Sequence, residues 1–306
     1  MTPTVSIVIP TRNRRALLLR TIRNALAQAA VAVEVLVVDD ASIDGTADAV
    51  LALRDSRVHV HRHERPLRVA AARNTGAGLA HGAWVAFLDD DDLWSPAKLA
   101  HQLNAASTTG RGWVYAGAVE IDAGDRLLGG EPPPSPEALV AGLPDGNLMP
   151  AGCSNVVIRA ELLRTVGGFD VQLRHLADWD LWLRLAAIGP PACVPLPLVG
   201  YRIHGGQATL DPDGMMAEGR LLEARHGTNL NSIRRWQAWS HLRRGERGLA
   251  VRAYARAVLA GDVSSLGRAA VAVLDASPTT FRVPRPGRNH EWHRAAAAWL
   301  STTREP

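Results

Sequence analysis

Short apolar runs alternate with amphipathic segments along the first hundred residues. Runs rich in β-forming apolar residues predict buried strands, and apolar positions three and four residues apart predict helices. Strands that alternate with helices specify a parallel sheet with right-handed crossovers, so we expect an α/β sandwich. The predicted strands are 5–10, 33–38, 58–60 and 84–88, and the predicted helices are 14–28, 46–53 and 70–79.

The alternation becomes less regular after Pro96. The pattern there predicts strands at 113–121 and 154–159 and helices at 160–166 and 177–188. Beyond about residue 212 the apolar spacing is helical throughout. We therefore expect one α/β domain over residues 1–214, made of the halves 1–95 and 96–214, followed by a helical region over residues 215–306.

Four consecutive aspartates, Asp89 to Asp92, follow the predicted strand 84–88 directly. An unpaired buried carboxylate costs several kcal/mol, so these side chains must leave the core at the carboxyl edge of the sheet. Open α/β folds bind ligands at that edge, and clustered carboxylates there suit Mg²⁺ or Mn²⁺ held together with a diphosphate. The alternative is a solvated acidic turn that caps the helix expected near Pro96.

Composition bounds the class of protein. Of the 306 residues, 47% are hydrophobic and 21% are charged, as in an ordinary globular protein. No apolar run reaches the roughly 18 residues of a membrane helix, and no charged-then-apolar leader opens the sequence, so we expect a cytoplasmic protein. Cys153 and Cys193 are the only cysteines, too few for a disulfide scaffold or a thiolate metal site.

Charge is distributed unevenly along the chain. Residues 1–214 carry a net charge of −4, and residues 215–306 carry +8. A basic region attracts anionic membrane surfaces, which makes residues 215–306 a candidate for peripheral membrane contact. The alternative is a solvated helix face in an arginine-rich chain, where Lys98 is the only lysine. We expect no nucleic-acid partner.

Seven short segments stand out along the chain. They are VSIVIPTRN at 5–13, VVDDASIDGT at 37–46, ARNTG at 72–76, FLDDDD at 87–92, GGFD at 167–170, DWDLWLRL at 178–185 and YRIH at 201–204. In this order they resemble the motifs of glycosyltransferase family 2, the inverting enzymes that use nucleotide-diphosphate sugars. The resemblance implies a GT-A fold: a Rossmann-like, mixed, mainly parallel sheet flanked by helices, here with a C-terminal helical extension. It also implies that residues 1–95 bind the nucleotide and residues 96–214 bind the acceptor.

The resemblance implies metal-dependent transfer of a sugar from a nucleotide donor, preferably a UDP- or dTDP-sugar, to a hydroxyl of a glycan, a lipid-linked or a small-molecule acceptor. Asp40 would accept a hydrogen bond from the ring N–H of the base, or instead bond neighbouring backbone amides in a turn. Arg73 would grip phosphate oxygens with its guanidinium fork, or instead form a structural ion pair with Asp39 or Asp40. The implied nucleotide contacts are Pro10, Thr11, Arg12, Asn13, Asp40, Arg73, Asp89 and Asp90.

The family's DXD motif matches Asp89-Asp90-Asp91, which makes Asp91 the direct ligand of Mn²⁺ or Mg²⁺. Asp90 and Asp92 leave this register open by one residue. His204 would complete the metal shell or contact the diphosphate.

An attacking hydroxyl must lose a proton, which requires a carboxylate base. The resemblance assigns this role to Asp178, while Asp180 is expected to cap its helix or to pair with Arg184. The family often has two acids here, whereas this chain has Ala177 before Asp178. The missing acid leaves an alternative function open: a catalytically inactive protein of the same fold that binds sugar nucleotides or serves as a scaffold.

Overall fold

The computed structural model describes residues 2–203, 211–243, 245–263, 265–267, 270 and 290–303. The chain divides into two compact units. The sheet unit comprises Met1–Val140, Met149–Gly205 and Arg288–Pro306, and the helical unit comprises Ala141–Leu148 and Gly206–Gly287. This division assigns the last described helix to the sheet unit, whereas the sequence-based division after residue 214 grouped it with the helical region.

Nine strands form one mixed sheet in the sheet unit. They are β1 (Val5–Thr11), β2 (Val33–Asp39), β3 (Val58–Arg62), β4 (Trp84–Phe87), β5 (Leu93–Trp94), β6 (Trp113–Ile121), β7 (Leu127–Gly129), β8 (Val157–Arg159) and β9 (Ala192–Arg202). Their order is β3-β2-β1-β4-β8-β6-β9-β5, with β7 beside β6. The pairs β1–β2, β1–β4, β2–β3 and β6–β9 are parallel, and β8 runs antiparallel to β4 and β6.

Helices connect and cover these strands. They are α1 (Arg15–Leu26), α2 (Thr46–Leu51), α3 (Val69–Leu79), α4 (Lys98–Thr109), α5 (Pro136–Gly142), α6 (Ala160–Thr165), α7 (Ala177–Ile188), α8 (Pro212–His226), α9 (Asn231–Arg243), α10 (Arg247–Leu259) and α11 (His290–Thr303). The predicted α/β class, with helices between parallel strands in the first hundred residues, is confirmed.

The predicted strand at 154–159 is shorter in the structure. A 3-10 turn, Gly152–Asn155, occupies its first half, and β8 begins only at Val157. The Asn155 side chain accepts a hydrogen bond of 2.7 Å from the N–H of Ala116 and donates one of 2.6 Å to its carbonyl. Because this side chain replaces a strand neighbour for β6, the backbone at Asn155 need not be extended.

Helix α11 packs on the sheet at β9. Trp292, Trp299 and Leu300 form a buried cluster with residues of β5 and β6, and Trp299 Nε1 donates to the carbonyl of Pro197 at 2.7 Å. A Cβ atom on Gly117 would lie 1.9 Å from the Trp292 ring, so only glycine fits there. Tertiary packing therefore joins this late helix to the sheet unit.

The helical unit contains α8, α9 and α10. Its buried cluster joins Ala238 and Leu242 of α9 to Ala250, Ala253 and Tyr254 of α10. The helical character expected after residue 212 is confirmed for the residues that the structure describes. Among all the residues that the structure describes, no helix is both long enough and apolar enough to cross a membrane.

Candidate functional site

Three parallel strands place the candidate residues at one edge of the sheet. Thr11, the last residue of β1, lies beside Asp39, the last residue of β2, and β4 ends just before the four aspartates. Carboxyl ends of neighbouring parallel strands meet at the same edge. The structure therefore brings Thr11, Asp40 and Asp89–Asp92 to the edge that the sequence predicted.

The four aspartates differ in exposure. Asp92 is 0% exposed, and the side chains of Asp89, Asp90 and Asp91 are 33%, 8% and 13% exposed. Asp89 presents the most carboxylate surface, and Asp91 is slightly more exposed than Asp90. The two more exposed positions have the spacing of a DXD motif that starts at Asp89.

Asp92 is a buried structural carboxylate. Its Oδ1 accepts a 2.9 Å hydrogen bond from the backbone N–H of Arg202 at the end of β9. The Arg202 guanidinium donates to the Asp91 carbonyl at 2.7 Å and to Asp125 Oδ1 at 2.7 Å. Burial raises the pKa of Asp92 well above its ordinary value. These contacts hold the aspartate turn against the end of β9.

Asp90, a predicted nucleotide contact, is bound within the protein. Its Oδ2 accepts a 2.7 Å hydrogen bond from Thr11 Oγ1, and its Oδ1 lies 3.1 Å from Arg14 Nη1. The same Arg14 nitrogen donates to Asp91 Oδ2 at 2.5 Å. Arg14 was not among the predicted site residues, although it directly follows the Pro10–Asn13 turn. Its guanidinium bridges the two carboxylates.

Asp89 lies between Arg73 and the 3-10 turn. Its Oδ1 accepts a 2.6 Å hydrogen bond from Arg73 Nη2, and its N–H donates to Ser154 Oγ at 3.0 Å. Arg73 is buried; desolvation lowers its pKa, but the attraction of Asp89 outweighs this and holds the pKa above its ordinary value. The ion pair of Arg73 is with Asp89, so the alternative pairing with Asp39 or Asp40 is wrong.

The ARNTG segment (72–76) and the GGFD segment (167–170) are hydrogen-bonded to each other next to Arg73. Asn74 Nδ2 donates to the Phe169 carbonyl at 2.8 Å, and the Phe169 N–H donates to Asn74 Oδ1 at 2.8 Å. The Phe169 ring centre lies 5.4 Å from the Arg73 guanidinium. Gly168 has φ +69°, and a Cβ atom there would lie 2.6 Å from the Asn74 side chain. These segments therefore support the ion pair of Arg73 with Asp89.

Asp40 anchors the segment that precedes α3. Its Oδ1 lies 2.8 Å from His63 Nδ1 and accepts from the Leu67 N–H at 2.7 Å, and its Oδ2 accepts from the Arg68 N–H at 2.9 Å. Burial alone would raise its pKa, but these hydrogen bonds outweigh burial and lower it. Asp40 thus binds backbone amides of a distant segment, and not the neighbouring amides of a turn that the sequence left as an alternative. Its contact with a nucleotide base stays a prediction.

Asp178 lies in the first turn of α7 and is half-buried. Its Oδ1 accepts a 2.7 Å hydrogen bond from the Trp179 N–H, and a Cβ atom on Gly152 would lie 3.4 Å from its Oδ2. The charge of Asp178 contributes to the raised pKa of Arg73. The structure therefore brings Asp178 to the same cluster as Arg73 and Asp89.

Asp180, the rival base, is buried and paired. Its Oδ2 lies 2.6 Å from Arg184 Nη2. Arg184 also donates to the carbonyls of Val166 and Gly168, at 2.7 Å in the second case. The expected pairing of Asp180 with Arg184 is confirmed, and it holds the GGFD turn against α7.

The other predicted nucleotide contacts lie at the end of β1 and in the turn after it. Pro10 and Thr11 are buried, whereas Arg12 and Asn13 are exposed. Asn13 has φ +54°, and its Oδ1 accepts a 2.8 Å hydrogen bond from the Ile43 N–H. This bond ties the turn after β1 to the loop after β2.

A divalent cation fits this cluster as a site shared with the ligand. His204, a predicted metal ligand, lies outside the described residues. Within the described ranges, no three histidine, cysteine or acidic side chains are grouped so as to hold a metal. Asp89 and Asp91 are hard oxygen ligands, and one or two such carboxylates suffice when diphosphate oxygens and water complete the shell. These two residues would hold Mg²⁺ or Mn²⁺.

The sequence resembles glycosyltransferases in two independent comparisons. The model of glycosyl transferase family 2 matches residues 6–167. Succinoglycan biosynthesis protein ExoO of Rhizobium meliloti (strain 1021) is 37% identical over 216 residues, covering 66% of this chain and 61% of that protein. UDP-Glc:alpha-D-GlcNAc-diphosphoundecaprenol beta-1,3-glucosyltransferase WfgD of Escherichia coli is 32% identical over 181 residues, covering 59% of this chain and 69% of that protein. The chain spans less than two thirds of the length of ExoO.

Solved structures resemble the fold along nearly the whole chain. S. aureus TarS 1-349 in complex with UDP-GlcNAc has a TM-score of 0.62 at 16% identity, covering 98% of this chain and 89% of that one. Mannosyltransferase PcManGT from Pyrobaculum calidifontis, in complex with GDP-Man and Mn²⁺, has a TM-score of 0.57 at 20% identity, covering 100% of this chain and 89% of that one. These similarities show the GT-A fold that the sequence motifs implied.

Proposed function

The chain belongs to glycosyl transferase family 2 and is a glycosyltransferase, and on that premise we propose that it uses Mn²⁺ or Mg²⁺ to transfer the sugar of a UDP-sugar to an acceptor hydroxyl with inversion. The single observation that carries the proposal is the pair of partly exposed carboxylates, Asp89 and Asp91, in one cluster with Arg73 and Asp178. Such a cluster combines metal ligands, a fixed cation and a base.

In the proposed reaction the leaving group is a nucleoside diphosphate, which gains negative charge as the sugar bond breaks. Positive charge placed in advance at that point stabilises the transition state. A divalent cation, when bound at Asp89 and Asp91, supplies part of this charge to the diphosphate. Arg73 and Arg14 are the protein's own cations beside these carboxylates.

Asp178 is proposed to accept the proton of the acceptor hydroxyl as that oxygen attacks the anomeric carbon. One Asp178 oxygen is occupied by the Trp179 N–H, which holds the carboxylate in place. Gly152 lies beside the second oxygen, which would be 3.4 Å from a Cβ atom at that position. The Asp178 charge is one of those that raise the pKa of Arg73, so the two groups attract each other.

The names of similar proteins support a UDP-sugar donor and a lipid-linked acceptor. WfgD is named for UDP-Glc as donor and a diphosphoundecaprenol-linked sugar as acceptor. TarS has been solved with UDP-GlcNAc, while PcManGT has been solved with GDP-Man. We propose UDP because the sequence relative and TarS share it, and a dTDP-sugar is the next donor to test.

The deciding experiment is donor hydrolysis and transfer with a panel of UDP-, dTDP- and GDP-sugars, with Mn²⁺ and with excess chelator. Wild-type protein should release UDP only with metal, and Asp91→Asn should lose this activity. Asp55→Asn is the matched control, because Asp55 is a carboxylate paired with Arg57 in a distant turn. Activity in chelator would contradict the metal role. Metal-dependent UDP binding without turnover by any donor and acceptor would favour the inactive binding protein.

A further inference from the structure

The helical unit contains a cavity of about 620 Å³ that the proposed transferase chemistry does not use. Helices α8, α9 and α10 all contribute to its wall, which lies entirely within residues 213–260. The volume lies within the roughly 300–1,000 Å³ of typical ligand sites. The lining residues are Asp213, Met216, Ala217, Arg220, Arg234, Gln237, Ala253, Arg256, Leu259 and Ala260.

Three arginines, each from a different helix, converge on this cavity. Arg220 belongs to α8, Arg234 to α9 and Arg256 to α10. None of them forms an ion pair with another described residue, whereas the adjacent Arg235 pairs with Asp262 at 2.7 Å. Arg234 donates to the Asn231 side chain at 2.8 Å, which orients it without neutralising its charge. Because guanidinium groups match phosphate oxygens in a fork, this arrangement is suited to a phosphate-bearing ligand.

The remaining wall is partly apolar. Met216, Ala217, Ala253, Leu259 and Ala260 line the cavity beside the arginines. A small inorganic anion would leave most of the volume and these side chains unused. A ligand with a charged phosphate head and an apolar chain would contact both parts of the wall.

Resting on the proposed transfer to a lipid-linked acceptor, we propose that this cavity binds the diphosphate of such a lipid and the first part of its apolar chain. The lining holds three arginines and one aspartate, a net charge of +2. A sugar-diphosphate-lipid carries two negative charges, one on each phosphodiester, and so matches this lining. A phospholipid with a single phosphodiester would leave one positive charge uncompensated.

The test measures direct binding by isothermal titration calorimetry on the full chain. The probes are farnesyl diphosphate, inorganic pyrophosphate, farnesol, and vesicles of phosphatidylglycerol with phosphatidylcholine. All titrations contain chelator and are repeated in Asp91→Asn, because a diphosphate could otherwise bind at the donor site with metal. Farnesyl diphosphate should bind tightest, pyrophosphate more weakly, and farnesol not measurably.

The double variant Arg220→Ala/Arg256→Ala should weaken farnesyl diphosphate binding by roughly 100-fold, as expected for the loss of two charge-assisted hydrogen bonds. Both side chains are exposed, so the variant should keep the thermal stability of the wild type. The matched control is Arg252→Ala, an exposed arginine of α10 outside the lining. It should bind like the wild type.

Equal binding of farnesyl diphosphate to the wild type and the double variant would overturn the proposal, and so would the absence of binding to the wild type. Vesicle binding that depends on these arginines, without binding of farnesyl diphosphate, would assign the cavity to phospholipid and also overturn it. Metal-dependent hydrolysis of the donor sugar should be the same in the double variant as in the wild type. Failure of the transferase proposal would therefore be visible in that assay and separate from failure of the cavity proposal.

Discussion

Arg14 Nη1 lies 2.5 Å from Asp91 Oδ2, the carboxylate proposed to bind the metal. The same nitrogen is 3.1 Å from Asp90 Oδ1, so one guanidinium neutralises part of the charge of both aspartates. A divalent cation at Asp91 must approach this positive charge. Repulsion between like charges at such short range disfavours the metal unless a diphosphate adds negative charge. The pair thus favours binding of metal and nucleotide together.

We predict that Arg14→Gln binds Mn²⁺ more tightly in the absence of nucleotide, by roughly 3- to 10-fold, because the competing charge is removed. Mn²⁺ titrations followed by electron paramagnetic resonance would measure this. Arg12→Gln, in the same turn but exposed, is the control and should leave the affinity unchanged. Equal or weaker Mn²⁺ binding in Arg14→Gln would show that Arg14 does not compete with the metal.

We predict that Asp178→Asn lowers the transfer rate by roughly 10²- to 10⁴-fold, the usual contribution of a general base, because an amide cannot take the proton. Donor affinity should stay nearly unchanged. Steady-state transfer assays and UDP titrations would measure the two quantities. A variant that keeps most of its transfer rate would exclude Asp178 as the base.

The neighbouring Asp180→Asn should act mainly on stability. Asp180 is 2% exposed and paired with Arg184, which also donates to the Gly168 carbonyl. Because the Arg184 side chain is 25% exposed, removing the Asp180 charge should cost about 1–3 kcal/mol, a loss that urea unfolding would measure. Transfer measured well below the unfolding midpoint should fall far less than in Asp178→Asn. The opposite result would move the base to Asp180.

We predict that Asp40→Asn destabilises the sheet unit by about 1–3 kcal/mol at pH 7, because an amide cannot accept from the Leu67 N–H, the Arg68 N–H and His63 together. The folded-state pKa of Asp40 is lowered, so its stabilisation is present above the unfolded pKa of about 4 and is lost as pH falls through the folded pKa. Urea unfolding at several pH values should show the deficit shrinking in acid.

Asp48→Asn is the matched control for Asp40→Asn, because Asp48 is exposed on α2. Its stability should equal that of the wild type at every pH. A difference in stability between Asp40→Asn and the wild type that stays unchanged down to pH 3 would contradict the stabilising role of the ionised Asp40 carboxylate.

Titration with UDP tests the predicted base contact separately. A loss of UDP affinity in Asp40→Asn, measured where the variant is fully folded, would support that contact.

We predict that Lys98→Met stabilises the protein by about 1–3 kcal/mol at pH 7, because an apolar side chain of similar length removes the cost of burying an ionisable amine. Lys98 is 0% exposed, and its Nζ donates to Gln102 Oε1 at 2.8 Å. Burial lowers the pKa of Lys98 well below its ordinary value. The destabilisation by Lys98 is therefore fully present below its pKa in the folded state. It decreases as pH rises from that value toward the pKa of Lys98 in the unfolded state.

The gain in Lys98→Met should accordingly shrink as pH rises toward about 10, which thermal unfolding at several pH values would measure. Lys98 Nζ also lies 3.8 Å from the centre of the Trp94 ring. A variant less stable than the wild type at pH 7 would mean that this cation–π contact and the Gln102 hydrogen bond outweigh the cost of burial.

The hydrophobic pattern and the short motifs predicted the alternating strands and helices of the first hundred residues, the edge at which the acidic residues meet, and the family. These follow from information that is local in the chain: hydrophobic period, turn residues and short motifs. Four identical residues in a row do not indicate that Asp89 and Asp91 are more exposed than Asp90 and Asp92. This difference depends on Thr11, Arg14 and Arg202, which reach the aspartates from β1, the turn after it and β9.

Which candidate residues bind other parts of the protein depends on tertiary contacts that the sequence does not show. The Asp40 carboxylate forms hydrogen bonds with His63, Leu67 and Arg68, which are more than twenty residues away in the sequence. Asn74 forms a hydrogen bond with Phe169, ninety-five residues away. Helix α11 likewise belongs to the sheet unit through tertiary contacts, among them Trp292 against Gly117. A buried polar group must find a partner wherever the fold places one, and sequence spacing does not identify that partner.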